Sequence, residues 1–131
     1  DFIGRVPQDE LFDLLSTYHI FIFPSLHDSG GLAALEALSR GLPVVCLNLG
    51  GPGELVTRSC GLVIDARTGD TNFVVKKMAG GIIKVLKTPG CLTALSEGAA
   101  TRASEFLLSQ RINMLYERVQ SRLSGGSHRA S

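Results

Sequence analysis

Four short runs rich in β-branched and aromatic residues alternate with stretches of helical periodicity, and this alternation constrains the fold more than any other feature. The runs are Phe2-Ile3-Gly4-Arg5-Val6, His19-Ile20-Phe21-Ile22-Phe23-Pro24, Pro43-Val44-Val45-Cys46-Leu47 and Gly61-Leu62-Val63-Ile64-Asp65. Strands separated by helices with short connections imply a parallel sheet with right-handed crossovers, so the expected class is α/β, a Rossmann-like doubly wound sheet followed by C-terminal helices. The aromatic run at 19–24 reads as a strand buried on both faces.

The helical stretches are equally legible. Pro7 opens a helix with Leu11, Leu14, Leu15 and Tyr18 at helical spacing. Leu32 to Ser39 reads as a short apolar helix that stops at Gly41. Glu54 to Arg58 can form a helical turn, Phe73 to Val85 a helix despite Gly80 and Gly81, and Leu92 to Leu107 and Ile112 to Leu123 two more. Residues 1–123 are expected to form one domain, with 124–131, polar and rich in Gly and Ser, as a disordered tail.

Composition narrows the function. A chain of 131 residues with 44% hydrophobic content suits one domain that buries roughly two thirds of its unfolded surface. Thirteen Lys plus Arg nearly balance twelve Asp plus Glu, so no global field attracts nucleic acid. Cys46, Cys60 and Cys91 are odd in number, far apart and set among apolar residues, which fits reduced thiols in a cytoplasmic protein. None has a metal-site spacing with His19, His27 or His128. No apolar run approaches the ~18 residues that span a bilayer. The chain does not open on Met and its first residues already read as a strand, as expected of a piece of a longer polypeptide.

Sheets of this kind bind ligands at the carboxyl ends of their strands. Three such ends lead into loops of Gly and small polar residues, at 27–31, 49–54 and 66–71. The first carries the most information: Asp28 and Glu36, eight positions apart, bracket Gly30-Gly31 at a helix start. Free N–H groups of a first helical turn, together with the helix dipole, favour phosphate without a metal. From Gly30 to Glu36 a helix rises roughly 9 Å, comparable with the distance from a diphosphate to its ribose. Glu36 lies among Leu32, Ala33, Ala34, Leu35, Ala37 and Leu38, and a carboxylate in such surroundings needs a partner. Taken singly, Asp28 also suits a turn or cap acid and Glu36 a structural ion pair.

These residues resemble the C-terminal domain of the two-domain GT-B glycosyltransferases, in particular the family 4 (group 1) retaining enzymes. The resemblance spans positions 2 to 120 and rests on Phe2-Ile3-Gly4-Arg5-Val6 with Asp9-Glu10-Leu11, Phe23-Pro24-Ser25, Leu35-Glu36-Ala37, Gly41-Leu42-Pro43-Val44-Val45, Gly50-Gly51 with Glu54, and Gly61-Leu62-Val63. The family's two glutamates, separated by seven intervening residues, correspond to Asp28 and Glu36, the first one methylene shorter. The resemblance implies that Asp28 contacts hydroxyls of the donor sugar, that the amides of Gly30, Gly31 and Leu32 hold the distal phosphate, and that Glu36 accepts hydrogen bonds from the ribose. His27 and Ser29 flank the first acid, and Gly50, Gly51 and Glu54 form the family's second glycine segment near the donor. Position 27 more readily suits a solvent-facing loop histidine, and the glycines taken alone a tight turn.

The implied reaction transfers a sugar from a nucleotide-diphosphate sugar to a saccharide or lipid-linked acceptor with retention, without metal or other cofactor. The family's N-terminal acceptor domain lies outside this chain, which alone is expected to be inactive. Competing readings are a non-catalytic nucleotide-sugar-binding module and a GT-B nucleotide-sugar epimerase. A dinucleotide dehydrogenase is disfavoured because Gly51-Pro52-Gly53 lacks the third glycine, Val56 standing in its place. A serine hydrolase is disfavoured because no glycine stands two residues before Ser29. Arg111, Arg118 and Arg122 can share one side of the last helix, either an ordinary solvated face or a peripheral contact with anionic lipid.

Overall fold

The computed structural model describes residues 2–67 and 70–125. In chain order the elements are α1 (Gln8–Leu15), β1 (Phe21–Phe23), α2 (Leu32–Ser39), β2 (Val44–Leu47), α3 (Gly50–Leu55), β3 (Gly61–Ile64), α4 (Thr71–Lys87) and α5 (Cys91–Gly125). The strands pair in parallel in the order β1-β2-β3, with Phe21 opposite Val44 and Val44 opposite Gly61. All four residues of β2 are buried. Because successive side chains of a strand point to opposite faces, Val44 and Cys46 enter a core with residues of α1, α2 and α5, while Val45 and Leu47 enter a second one with Met78 of α4. Helices thus cover both faces, the doubly wound arrangement expected from the alternation.

Local chemistry sets the element ends. Asp70 caps α4, its Oδ1 accepting from the Phe73 amide at 2.8 Å. α2 closes with the hydrogen-bond pair typical of a glycine stop: the amides of Gly41 and Leu42 donate to Leu38 and Ala37. Ser96 Oγ then donates to the Gly41 carbonyl at 2.7 Å and ties that corner to α5.

Several expectations are corrected. Phe2 to Val6 is no strand: it is irregular, Phe2 is fully exposed, and no neighbouring strand among the described residues takes its backbone groups. β1 is an edge strand, and Ile22 is 49% exposed rather than buried on both faces. The turn expected over 54–58 begins at Gly50 and ends at Leu55. Pro52 is tolerated because it falls in the first turn, where an amide would have no intrahelical acceptor. The two helices expected after residue 92 are one, since no Gly or Pro interrupts 107–112. Ser124 and Gly125 belong to α5 rather than to a tail, and 126–131 lie outside the described residues. Arg111, Arg118 and Arg122 lie on the exposed outer part of α5.

At the carboxyl edge of the sheet the loops after β1 and β2 meet backbone on backbone. The Gly51 amide donates to the Asp28 carbonyl at 2.9 Å. A Cβ on Gly51 would lie 2.9 Å from both the Gly31 nitrogen and the Ser29 oxygen. Gly50 has φ of 63°, and a Cβ there would strike the Asp28 carbonyl oxygen. Gly50→Ala combines left-handed backbone strain with a clash, and is expected to cost about 2–3 kcal/mol in denaturant unfolding. A loss below half a kcal/mol would show that the loops do not need this contact.

Cys46 is fully buried, with Sγ 3.5 Å from the Pro52 carbonyl. Burial first, and the neighbouring Cys60 second, push its thiol up from 9.0 to about 11. The folded state therefore favours the protonated thiol, a contribution fully present below pH 9.0 and lost as pH rises towards about 11. Urea midpoints measured from pH 8 to 11 are expected to fall more steeply for the wild type than for Cys46→Ala. Parallel profiles would overturn the assignment.

Candidate functional site

The parallel sheet places all three strand ends on one edge, and the loop leaving β1 builds the candidate site there. Its centre is an Asp-initiated turn, in which Asp28 Oδ1 accepts from the amides of Gly30 at 3.0 Å and Gly31 at 2.6 Å. Gly31, at φ 63°, is the residue before α2 and gives it no side-chain cap. The first bond of the helix runs from the Leu35 amide to the Gly31 carbonyl. The amides of Leu32, Ala33 and Ala34 precede it, so they form the donor-rich, positive end of α2. His27, Asp28, Ser29, Gly30 and Leu32 line an open depression of about 350 Å³ over this end.

Glu36 lies one helical turn further along α2, among the buried Ala34, Leu35, Ala37 and Leu38. It does not line that depression. Its Oε1 accepts from Nε2 of Gln8, the first residue of α1, at 3.2 Å. Four residues on in both segments, the guanidinium of Arg40, just past the end of α2, sits 4.4 Å from the centre of the Phe12 ring. The rungs 8–36 and 12–40 advance together by four residues, so α1 and α2 lie alongside each other with their N-termini towards the same edge.

Of the expected phosphate donors, Gly30 and Gly31 are already engaged by Asp28, which leaves Leu32 and the two amides after it. Gly50 and Gly51 join the site through backbone contact with 28–31. Glu54 is exposed, and its backbone carbonyl accepts from Arg102 Nη2 of α5 at 3.4 Å, beside the 2.9 Å bond from Arg102 Nε to the Leu55 carbonyl. The third strand end is occupied by a bonded cluster. Asn48 Nδ2 donates to Asp65 Oδ1 at 3.0 Å, and Arg67 Nε and Nη2 contact the two Asp65 oxygens at 3.1 and 3.2 Å. These bonds, those from Arg67 first, hold the Asp65 carboxyl well below the usual range. Gln8, Asn48, Asp65 and Arg102 were not singled out from sequence, and only knowledge of which elements are neighbours reveals them. Among the described residues no group of three His, Cys, Asp or Glu could hold a metal ion, and no helix is long and apolar enough to cross a membrane.

Comparison with known proteins identifies the family and the fold. The family model described as glycosyl transferases group 1 matches residues 1–102. The chain is 42% identical over 103 residues to a glycogen synthase of Mycobacterium tuberculosis, covering 77% of this chain and 23% of that protein. It is 39% identical over 69 residues to the O-antigen chain mannosyltransferase B of Escherichia coli, covering 53% of this chain and 18% of that one. It thus spans less than a quarter of these relatives' length. Among solved structures, the sucrose-phosphate synthase of Thermosynechococcus elongatus superposes with a TM-score of 0.72 at 21% identity, over 92% of this chain and 30% of that one. The pneumococcal O-GlcNAc transferase GtfA, in complex with UDP and GlcNAc, does so with 0.72 at 20%, over 86% and 23%. With its fold and its family match in agreement, this chain belongs to the group 1 glycosyl transferases and carries part of their GT-B architecture.

Proposed function

We propose that residues 1–123 supply the donor site of a retaining glycosyltransferase that uses a nucleotide-diphosphate sugar, the acceptor being bound by a domain outside this chain. The reading rests above all on the uncapped N-terminus of α2 lying between two carboxylates, Asp28 on one side and Glu36 one turn along. The amides of Leu32, Ala33 and Ala34 take the diphosphate, and the helix dipole supplies the positive potential that a metal would otherwise give. The helical segment from Leu32 to Glu36 rises about 6 Å, so Glu36 meets the ribose, where it accepts from the hydroxyls. Asp28 keeps Oδ1 on its own turn and offers Oδ2 to a sugar hydroxyl. His27 and Ser29 line the same hollow. That one matched structure is described with UDP bound supports a nucleotide diphosphate as the group held.

In the reaction, the bond between the sugar's anomeric carbon and the diphosphate oxygen breaks as a bond from the acceptor oxygen forms on the same face. The acceptor proton passes to the departing diphosphate. Preorganised amides act by holding the charge that grows on that leaving group. The acceptor is a saccharide or a lipid-linked molecule.

In the intact protein, Asp28→Ala and Glu36→Ala are each expected to lower transfer from the nucleotide sugar by about 100-fold. Rates within twofold of wild type would overturn the catalytic reading. Product anomeric configuration by proton NMR tests retention, and an inverted product would refute it.

A further inference from the structure

The three loops at the carboxyl edge are tied to one another in a row, and Asn48 makes the tie between the second and the third. It follows the last residue of β2, and its backbone amide extends the ladder to the Ile64 carbonyl of β3 at 2.9 Å. Both ends of its carboxamide are spent on the loop after β3. Oδ1 accepts from the Ala66 amide at 3.0 Å, and Nδ2 donates to Asp65 Oδ1 at 3.0 Å. A backbone N–H only donates and an ionised carboxylate only accepts, so a carboxamide, which does both, fits the two partners at once. Arg67 orients Asp65 in turn, donating to it from its backbone amide and from Nε and Nη2. On the other side α3 folds back over Asn48, so closely that a Cβ on Gly53 would lie 2.9 Å from the Asn48 Cα.

Just beyond Asn48 the chain reaches Gly50 and Gly51, whose backbone meets Asp28. The loop after β1 thus takes its position from the loop after β2, and that loop takes its own from Asn48. The amides of Leu32 to Ala34 are held differently, by a helix that Ala34, Leu35, Ala37 and Leu38 fix in the core. The geometry points to Asn48, oriented by Asp65, as a positioning residue that sets the glycine seam and, through it, the Asp28 turn, while leaving the amides of α2 in place. Its part in turnover rests on the donor reading above; its hold on the seam does not. In that reading a shift of Asp28 slows transfer of the sugar, whereas a shift of the α2 amides weakens the grip on the diphosphate.

Amide hydrogen exchange of the 131-residue chain, followed by NMR, tests the hold directly. In Asn48→Ala the Gly51 and Gly31 amides, both bonded to Asp28, are expected to exchange about tenfold faster than in the wild type. The Ala94 amide, bonded to the Gly90 carbonyl at the start of α5, is expected to change by less than about twofold. Asp65→Asn keeps an acceptor for Asn48 Nδ2 and is expected to retain the protection of Gly51, whereas Asp65→Ala is expected to lose it. Equal acceleration at Ala94 would mean a general loss of stability and overturn the inference, as would unchanged exchange at Gly51 in Asn48→Ala. In the intact protein, Asn48→Ala is expected to lower kcat for transfer from the nucleotide sugar about tenfold, with KM for that donor within about twofold of the wild type. A raised KM at unchanged kcat, or no change in either, would overturn the role in turnover. If Asp28→Ala leaves transfer intact in the same assay, the donor reading fails and the role in turnover with it, while exchange at Gly51 still decides whether Asn48 holds the seam.

Discussion

The contact on which the candidate site depends is the seam where two loops meet without side chains between them. Asp28 offers its backbone carbonyl to the Gly51 amide, and Gly31 and Gly51 approach closely enough that a methyl group on Gly51 would not fit. Loops ordinarily show their backbone groups to water. Here the loops after two adjacent parallel strands satisfy each other instead. The turn that carries Asp28 is therefore set by the neighbouring strand as well as by its own residues. Glycine at 50 and 51 is a packing requirement, whatever it also contributes to ligand access.

Support for that seam comes from the buried strand between the two cores. β2 contributes Val44 and Cys46 to one face and Val45 and Leu47 to the other, so its end, and the glycine segment that follows, is held from both sides. Arg102 fastens the far end of α3 to α5 through two carbonyls. Carbonyls at a helix C-terminus lack intrahelical donors, and a guanidinium is well suited to them. The face packed by α1, α2 and α5 thus carries the candidate-site residues, and α4 closes the opposite face.

The Asp28 carboxylate has a double role in the electrostatics of this edge. By accepting from Gly30 and Gly31 it satisfies amides that a phosphate would otherwise use, and it places a negative charge beside the expected position of an anion. Under the proposed donor reading, a phosphate on α2 would use the next amides along, those of Leu32 to Ala34. The carboxylate and the free amides of α2 are thus partitioned within a single turn. The shorter side chain of Asp relative to Glu suits this tight engagement with its own backbone.

The strands at 21–23, 44–47 and 61–64, and α2 between Leu32 and Ser39, were legible in the sequence because the side-chain period and the flanking Gly and Pro report local geometry directly. So was the bracketing of a helix start by Asp28 and Glu36, since it depends only on neighbours along the chain. Tertiary structure decided the rest. Phe2 to Val6 has the composition of a strand, but a strand also requires a partner to take its backbone hydrogen bonds. Whether Gly50 began a loop or a helix, and whether residues 107–112 continued or broke one, turned on packing and on the absence of a breaker rather than on periodicity. That Glu36 finds Gln8, Arg102 finds the end of α3, and Gly51 finds Asp28 follows from which helices and loops the sheet sets side by side, a relation between distant positions that local pattern does not encode.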